Sequence, residues 1–334
     1  MRPRSYALAF ITLAAGLFVA VVATNLIVDT QGVFGTGVLG RPLNPNVRYR
    51  QFISYASAPA RYDGLLFGSS RALDLPLDEL QQMGGATFAN FAVQFGLITD
   101  DLPVLEYVLR DKAAKRQRLR AVFLLLDADA IGDQPKTNRY LQTMLAPPLT
   151  GEQPLRFWWR YLTAIQVGTW RGEIVRAWKK AAREGGDAAV ADDRGAAAEP
   201  DAPAGAPESR RTGRTFDAIT SRPDYARQLR LLRQLVALCQ SNDVALVVAI
   251  SPLSREEAAK YDPGELAKVV GDVSRVVPVW DFTKSRWMAD HPEYWYDSRH
   301  FRPELGAMIL ARIFGDAGAA SPGDFGRLIT PQAR

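Results

Sequence analysis

Apolar positions are densest at the start of the chain, where Ala7 to Val28 holds no charged side chain and only Thr12, Thr24 and Asn25 as polar interruptions. These 22 residues suffice to cross a bilayer as a helix, which takes about 20. Arg2 and Arg4 precede the run and Asp29 follows it. The positive-inside rule then leaves the N-terminus in the cytoplasm and everything after Asp29 outside. A cleaved signal peptide is the competing reading, but its apolar core runs about 7–15 residues ahead of an Ala-x-Ala-like site. The run here is longer and no such site stands at its end. The expectation is a signal anchor over 1–30, single-pass in a bacterial inner membrane, with the rest of the chain in the periplasm.

Beyond the anchor, short apolar runs bounded by turn residues alternate with segments of helical spacing. Gly64–Gly68, Ala86–Ala92, Ala121–Leu126, Val244–Ile250 and Val276–Trp280 read as strands. Val244–Ile250 is apolar at every position, as a strand buried on both faces requires. Helices are predicted over Pro76–Met83, stopped at Gly84-Gly85, over Ile98–Asp111, over Pro223–Ser241 with Leu229, Leu232, Leu235 and Leu238 on one face, and over Pro303–Phe314. Ser254-Arg-Glu-Glu257 has the capping-box pattern that opens another. Five strands alternating with helices imply a parallel sheet between helix layers, in one domain over 31–334.

Two stretches break this rhythm. Residues 152–184 carry Phe157, Trp158, Trp159, Tyr161, Trp170 and Trp178 among Arg156, Arg160, Arg171, Arg176, Lys179, Lys180 and Arg183. This reads as a helical insertion, either a hairpin covering the sheet with its cations wet or an element lying on anionic lipid. From 181 to 215, 19 of 35 residues are Ala, Gly or Pro and no aromatic occurs. Such a segment buries too little to offset its ordering entropy, so a disordered loop is expected.

Composition narrows the chemistry. One cysteine, Cys239, excludes an intramolecular disulfide, and with two histidines a Cys/His zinc site has too few ligands. No metal or cofactor is expected. The net charge of +5 comes without a Lys/Arg block, so nucleic acid is not an expected partner. A histidine base, if used, is His291 or His300. His291 stands before Pro292 in a loop and reads as structural. His300 ends Asp297-Ser298-Arg299-His300, just ahead of the last helix.

After the first strand comes Gly68-Ser69-Ser70-Arg71. Open parallel sheets place ligands beyond the carboxyl ends of their strands, and a closing helix delivers its N-terminal loop to the same edge. Ser70 as nucleophile, His300 as base and Asp297 as orienter make a consistent set, since a serine hydroxyl needs a base and the base a third group to fix its tautomer. The serines also suit plain helix capping. Asp127 and Asp129, at the end of a strand, suit either capping of a following helix or a paired-carboxylate site. Arg71 suits either an anionic substrate or pairing with an acidic neighbour.

These blocks resemble the SGNH/GDSL hydrolases. Gly68-Ser69-Ser70 is similar to their Gly-Asp-Ser block with Ser69 in the Asp place, and Asp297-x-x-His300 matches their Asp-x-x-His block. Behind a membrane anchor, the Gly-Ser-Ser form resembles a branch containing the D-alanyl transfer protein of teichoic-acid modification and the alginate O-acetylation proteins. The resemblance implies a three-layer α/β/α, flavodoxin-like (SGNH-type) domain with a parallel five-stranded sheet, preceded by one transmembrane helix. It implies ester or acyl-transfer chemistry on a cell-envelope glycan or polymer, beside a membrane-bound O-acyltransferase. A non-catalytic scaffold for such an acyltransferase or a polysaccharide exporter is the alternative. The family's Gly-x-Asn-Asp block is missing, the strand ending instead Leu126-Asp127-Ala128-Asp129. Oxyanion donors would then be Ser70 N–H with Gly96 N–H or the Asn90 side chain. One lost donor costs about 3–4 kcal/mol, or roughly 10²–10³ in rate.

Overall fold

The computed structural model describes residues 3–129, 131–132, 143–184, 218–315 and 323–330. In chain order the elements begin α1 (Pro3–Val28), α2 (Val47–Ser57), β1 (Gly64–Gly68), α3 (Ser70–Leu73), α4 (Leu77–Gly84), β2 (Phe88–Asn90), α5 (Ile98–Ala114) and β3 (Ala121–Leu126). They continue α6 (Pro147–Thr150), α7 (Pro154–Thr163), α8 (Val167–Glu184), α9 (Tyr225–Ser241), β4 (Ala245–Ile250) and α10 (Arg255–Ala258). Last come α11 (Pro263–Ser274), β5 (Val279–Asp281), α12 (Arg286–Ala289), α13 (Pro303–Phe314) and β6 (Arg327–Ile329). The chain forms two compact units, one of Met1–Arg50 with Gly151–Thr212, the other of Gln51–Thr150 with Gly213–Arg334.

The second unit is a mixed α/β body around a six-stranded sheet in the order β2-β1-β3-β4-β5-β6. The four pairings from β2 through β5 are parallel, and β5–β6 is antiparallel. The expected five-stranded parallel sheet is therefore corrected to six strands with one antiparallel edge. β6 escapes sequence reading because it is three residues long and exposes Arg327 and Leu328. The register aligns Gly68 of β1 with Leu125 of β3, and Leu126 of β3 with Ile250 of β4. The carboxyl ends of the three central strands thus share one edge.

Alternating side chains of the central strands serve opposite faces. Leu66, Phe123, Leu125 and Ala249 join Leu80 of α4 and Leu305, Ile309 and Leu310 of α13 in one buried cluster. Leu65, Phe67, Leu124, Val248 and Ile250 are buried too, and α5 and α9 pack together and against β1 and β4. Helices on both faces explain why these strands read as unbroken apolar runs. Gly85 closes α4 in the left-handed conformation, φ 64°, the role glycine fills at a helix C-terminus. The Ser254 hydroxyl caps α10 through Glu257 N–H, but that helix is four residues long and a second N-cap, Asp262, starts α11.

In the first unit, α1 is 26 residues long, and Ser5–Val28 is long and apolar enough to span a membrane. Segment 152–184 contributes α7 and α8, which contact α1. Buried Asn25 fastens them: its amide donates to the carbonyls of Leu162 (2.8 Å) and Ala164 (2.9 Å), and its Oδ1 accepts from Trp170 Nε1 (3.0 Å). Phe157 is fully buried against Tyr49 and Tyr161. Of the Ala/Gly/Pro-rich stretch, residues 181–184 end α8, and the remainder lies outside the described residues.

Candidate active site

The turn leaving β1 demands glycine at position 68. Its φ is 138°, and a Cβ there would sit 2.5 Å from Leu125 O and 2.9 Å from the Ala72 side chain. Ser69 follows in extended conformation as the N-cap of α3, its Oγ accepting from Arg71 N–H at 3.2 Å. The same hydroxyl donates to Asp127 Oδ2 at 2.5 Å. Ser70, the first residue of α3, is half-buried, and its Oγ lies 2.9 Å from His300 Nε2.

His300 arrives on a short hairpin. Trp295 and Phe301 pair in an antiparallel bridge, and both are buried in the core cluster. Tyr296 N–H donates to His300 O and Arg302 N–H to Tyr294 O, each at 2.8 Å, closing the turn that carries 297–300. Within it, Asp297 Oδ1 accepts from the N–H groups of Arg299 (2.6 Å) and His300 (2.7 Å), while Oδ2 lies 2.8 Å from His300 Nδ1. A carboxylate acceptor at Nδ1 assigns the proton to that nitrogen. Nε2 is then left with its lone pair toward the Ser70 hydroxyl. Burial by itself would raise the Asp297 pKa. The hydrogen bonds from the His300 ring and the two backbone N–H groups outweigh it and hold the carboxylate below its ordinary range.

Two props hold this turn from outside. Ser254 Oγ donates to Ser298 O at 2.6 Å, and Arg299 pairs with the fully buried Glu257 at 3.2 Å. Ser254 and Glu257 thus do more than cap a helix, which the sequence pattern alone does not reveal.

Behind Ser70 sits a buried charged cluster. Arg71 donates to Asp129 with both terminal nitrogens (2.7 and 3.3 Å) and through Nε to the Arg299 carbonyl (2.9 Å). Asp127 lies 3.4 Å from the same guanidinium. Of the two readings of Arg71, the structure gives pairing with acidic neighbours. Among the described residues Asp127 and Asp129 cap no helix, and both lie against Arg71. Burial raises the Asp127 pKa, and Arg71 with the Ser69 hydrogen bond does not fully reverse it. Burial pushes Asp129 the same way, but the two-pronged Arg71 contact overcomes it and leaves Asp129 below the usual carboxylate range.

The expected oxyanion donors fare unequally. The Ser70 N–H has no hydrogen-bond partner among the described residues. Gly96 N–H donates to Val93 O at 2.9 Å, so that amide is engaged in a turn. Glycine is needed there for space, since a Cβ would lie 2.3 Å from Gly68 O. Asn90 Oδ1 accepts from Ala92 N–H at 2.9 Å, and among the described residues no contact joins Asn90 to Ser70 or His300. His291 stands apart, its Nδ1 2.6 Å from Trp287 O and its ring tilted by 30° against Trp287.

The structure therefore brings together Ser70, His300, Asp297 and Arg71, and seats Gly96 beside Gly68. Sequence reasoning did not find Ser69–Asp127, Ser254 or Glu257 as parts of this array. No family model matches the chain, and no curated protein matches it.

Proposed function

We propose that the chain is a membrane-anchored serine enzyme of SGNH type that forms an acyl-serine intermediate from acyl esters of a cell-envelope glycan or polymer. One observation carries this reading: Ser70 Oγ, His300 Nε2, His300 Nδ1 and Asp297 Oδ2 form an unbroken chain of 2.9 and 2.8 Å contacts. Its place at the carboxyl edge of β1, where the chain goes to β2 on one side and β3 on the other, supports a ligand site. The order β2-β1-β3-β4-β5 supports a three-layer, flavodoxin-like fold within the mixed α/β body.

In this reading His300 Nε2 takes the Ser70 proton as Oγ attacks the ester carbonyl. The carbonyl oxygen becomes an oxyanion, for which the Ser70 N–H is a donor. The C–O bond to the leaving alcohol then breaks, and His300 returns its proton to that alcohol. Water or a glycan hydroxyl, deprotonated by His300, next attacks the acyl-serine; the acyl C–Oγ bond breaks and His300 returns the proton to Ser70 Oγ, giving free acid or a new ester. Arg71 acts as a positioning residue through α3 and the Arg299 carbonyl. The positive charges before α1 support an extracytoplasmic body in a bacterial inner membrane, where a membrane-bound O-acyltransferase is the partner this chemistry suits.

A second reading, a non-catalytic scaffold for such an acyltransferase or a polymer exporter, draws on the engaged Gly96 amide, which leaves Ser70 N–H without that partner donor. Labelling by a serine-reactive fluorophosphonate separates the two. The enzyme reading expects wild type and Ser69→Ala to label, and Ser70→Ala and His300→Ala not to. Labelling that survives Ser70→Ala would falsify the nucleophile assignment. Wild type that neither labels nor turns over an ester leaves the scaffold.

A further inference from the structure

We infer that α7 and α8 form a membrane-embedded shelf, sunk into the outer leaflet of the bilayer that α1 crosses. The inference rests on the reading of α1 as a membrane span and is independent of the proposed chemistry.

The two faces of α7 are differently occupied. Phe157 and Tyr161, four residues apart, turn inward and pack on each other, with Phe157 also stacked on Tyr49. Leu155 and Trp159, also four apart, lie on another face and are exposed, at 76% and 54%. On α8, Val167, Ile174 and Trp178 fall along one stripe at helical spacing, which exposed Arg171 shares, and all three are exposed, as is Ile165 in the turn between the helices. Glu173 lies on the inner side, 1% exposed, accepting from Leu43 N–H and Arg176. The hairpin is therefore amphipathic, with its polar anchor inside and its apolar stripe outside.

Continuity with α1 names the occupant of that stripe. Asn25 binds the end of α7, and the Phe18 ring meets Trp159 at 5.7 Å between centroids. Phe18 precedes Asn25 by seven residues, about 10 Å along the helix. Trp159 therefore contacts a part of the span that lies in hydrocarbon whenever α1 crosses a bilayer. An interfacial helix buries its apolar face about 5–10 Å deep, which is the depth this contact sets. Arg156, Arg171, Lys179 and Lys180 are exposed on the same two helices, and cations beside Trp suit the headgroup region of anionic lipid.

The test uses the full chain in vesicles of phosphatidylethanolamine and phosphatidylglycerol, with spin labels on single introduced cysteines. Cys239 does not compete for the label, because it is buried and its thiol is pushed up to about 12. Labels replace Leu155, Ile165 and Trp178 on the stripe, Arg156 on the polar side, and Leu13 in the middle of α1. Collision with oxygen, relative to an aqueous nickel complex, is expected to be several-fold higher at Leu155→Cys, Ile165→Cys and Trp178→Cys than at Arg156→Cys, and highest at Leu13→Cys. If Leu13→Cys is lipid-embedded while the three stripe positions match Arg156→Cys, the shelf is overturned and the stripe belongs to a protein partner. If Leu13→Cys is itself water-accessible, the membrane span fails and the shelf falls with it.

Discussion

Asp127 and Asp129 face one guanidinium, yet their pKa values are displaced in opposite directions, because burial prevails at Asp127 and the Arg71 contact prevails at Asp129, so neutralising each should have a different cost. Arg71 is 3% exposed and meets Asp129 with two hydrogen bonds. Charges about 4 Å apart at an effective dielectric of about 20 attract by about 4 kcal/mol. Removing one partner of a buried pair costs about 3–5 kcal/mol. Asp129→Asn is expected near the lower end, because Asp127 remains 3.4 Å from Arg71. Asp127→Asn removes a buried charge that its neighbours do not fully compensate and keeps an acceptor for Ser69. Trading a charged for a neutral hydrogen bond loses about 1 kcal/mol, and relief of desolvation offsets this, so the net change should lie within about 1 kcal/mol.

The pH dependence follows from the directions of the shifts. Asp129, depressed in the fold, contributes stability that is fully present above the unfolded carboxylate value of about 3.9 and is lost as pH falls through the folded value. Asp127, raised in the fold, contributes stability that is present below about 3.9 and lost as pH rises through its folded value. The two variants should therefore converge in stability below about pH 4 and separate toward neutrality. Urea unfolding in detergent, comparing midpoints at unchanged m, measures this. An Asp127→Asn variant as damaged as Asp129→Asn at pH 7, or a gap that does not narrow in acid, would refute the reasoning.

Three further outcomes concern the site. Asp297→Asn should slow fluorophosphonate labelling by about 10²–10⁴-fold while leaving the unfolding midpoint nearly unchanged, since its work is to hold the imidazole tautomer; a labelling rate equal to wild type would remove Asp297 from the array. Gly96→Ala, whose Cβ would lie 2.3 Å from Gly68 O, should destabilise by about 1–3 kcal/mol and depress labelling by shifting the Gly68–Ser70 turn. Wild-type stability in that variant would show the loop free to yield. Asn90→Ala should change the labelling rate by less than about tenfold, whereas loss of an oxyanion donor would cost roughly 10²–10³; single-turnover kinetics decides between them.

Where the sequence was read well, the physics was local. The strand over Gly64–Gly68 and the helix over Pro303–Phe314 form at the expected bounds, because an apolar run ending in glycine and a proline-started amphipathic segment each determine their own ends. The expected strand over Ala86–Ala92 shrinks to Phe88–Asn90: Asn90 folds its side chain onto Ala92 N–H, and Phe91 and Val93 donate to the end of β1 outside the regular ladder. Val276–Trp280 likewise becomes Val279–Asp281, since Val276 and Val277 N–H close the end of α11. Ser70, Asp297 and His300 stand in short blocks, so contiguous residues suffice to nominate them. The Arg71 cluster is assembled across β1 and β3, and the support of Ser298 and Arg299 comes from α10. Neither leaves a periodicity or spacing in the chain, because what specifies them is strand order.

The hairpin bearing Asp297 and His300 has a mechanical consequence. Asp297 and His300 sit on one turn, fastened at both ends by Trp295 and Phe301 in the core, so they travel as a single body. Ser70 belongs to another body, the β1–α3 turn wedged against Leu125. Of the two contacts in the relay, only the 2.9 Å gap between Ser70 and His300 spans a seam. Any force transmitted to this array from outside therefore acts as a throttle on one distance, and the orientation of the imidazole by Asp297 is insulated from it.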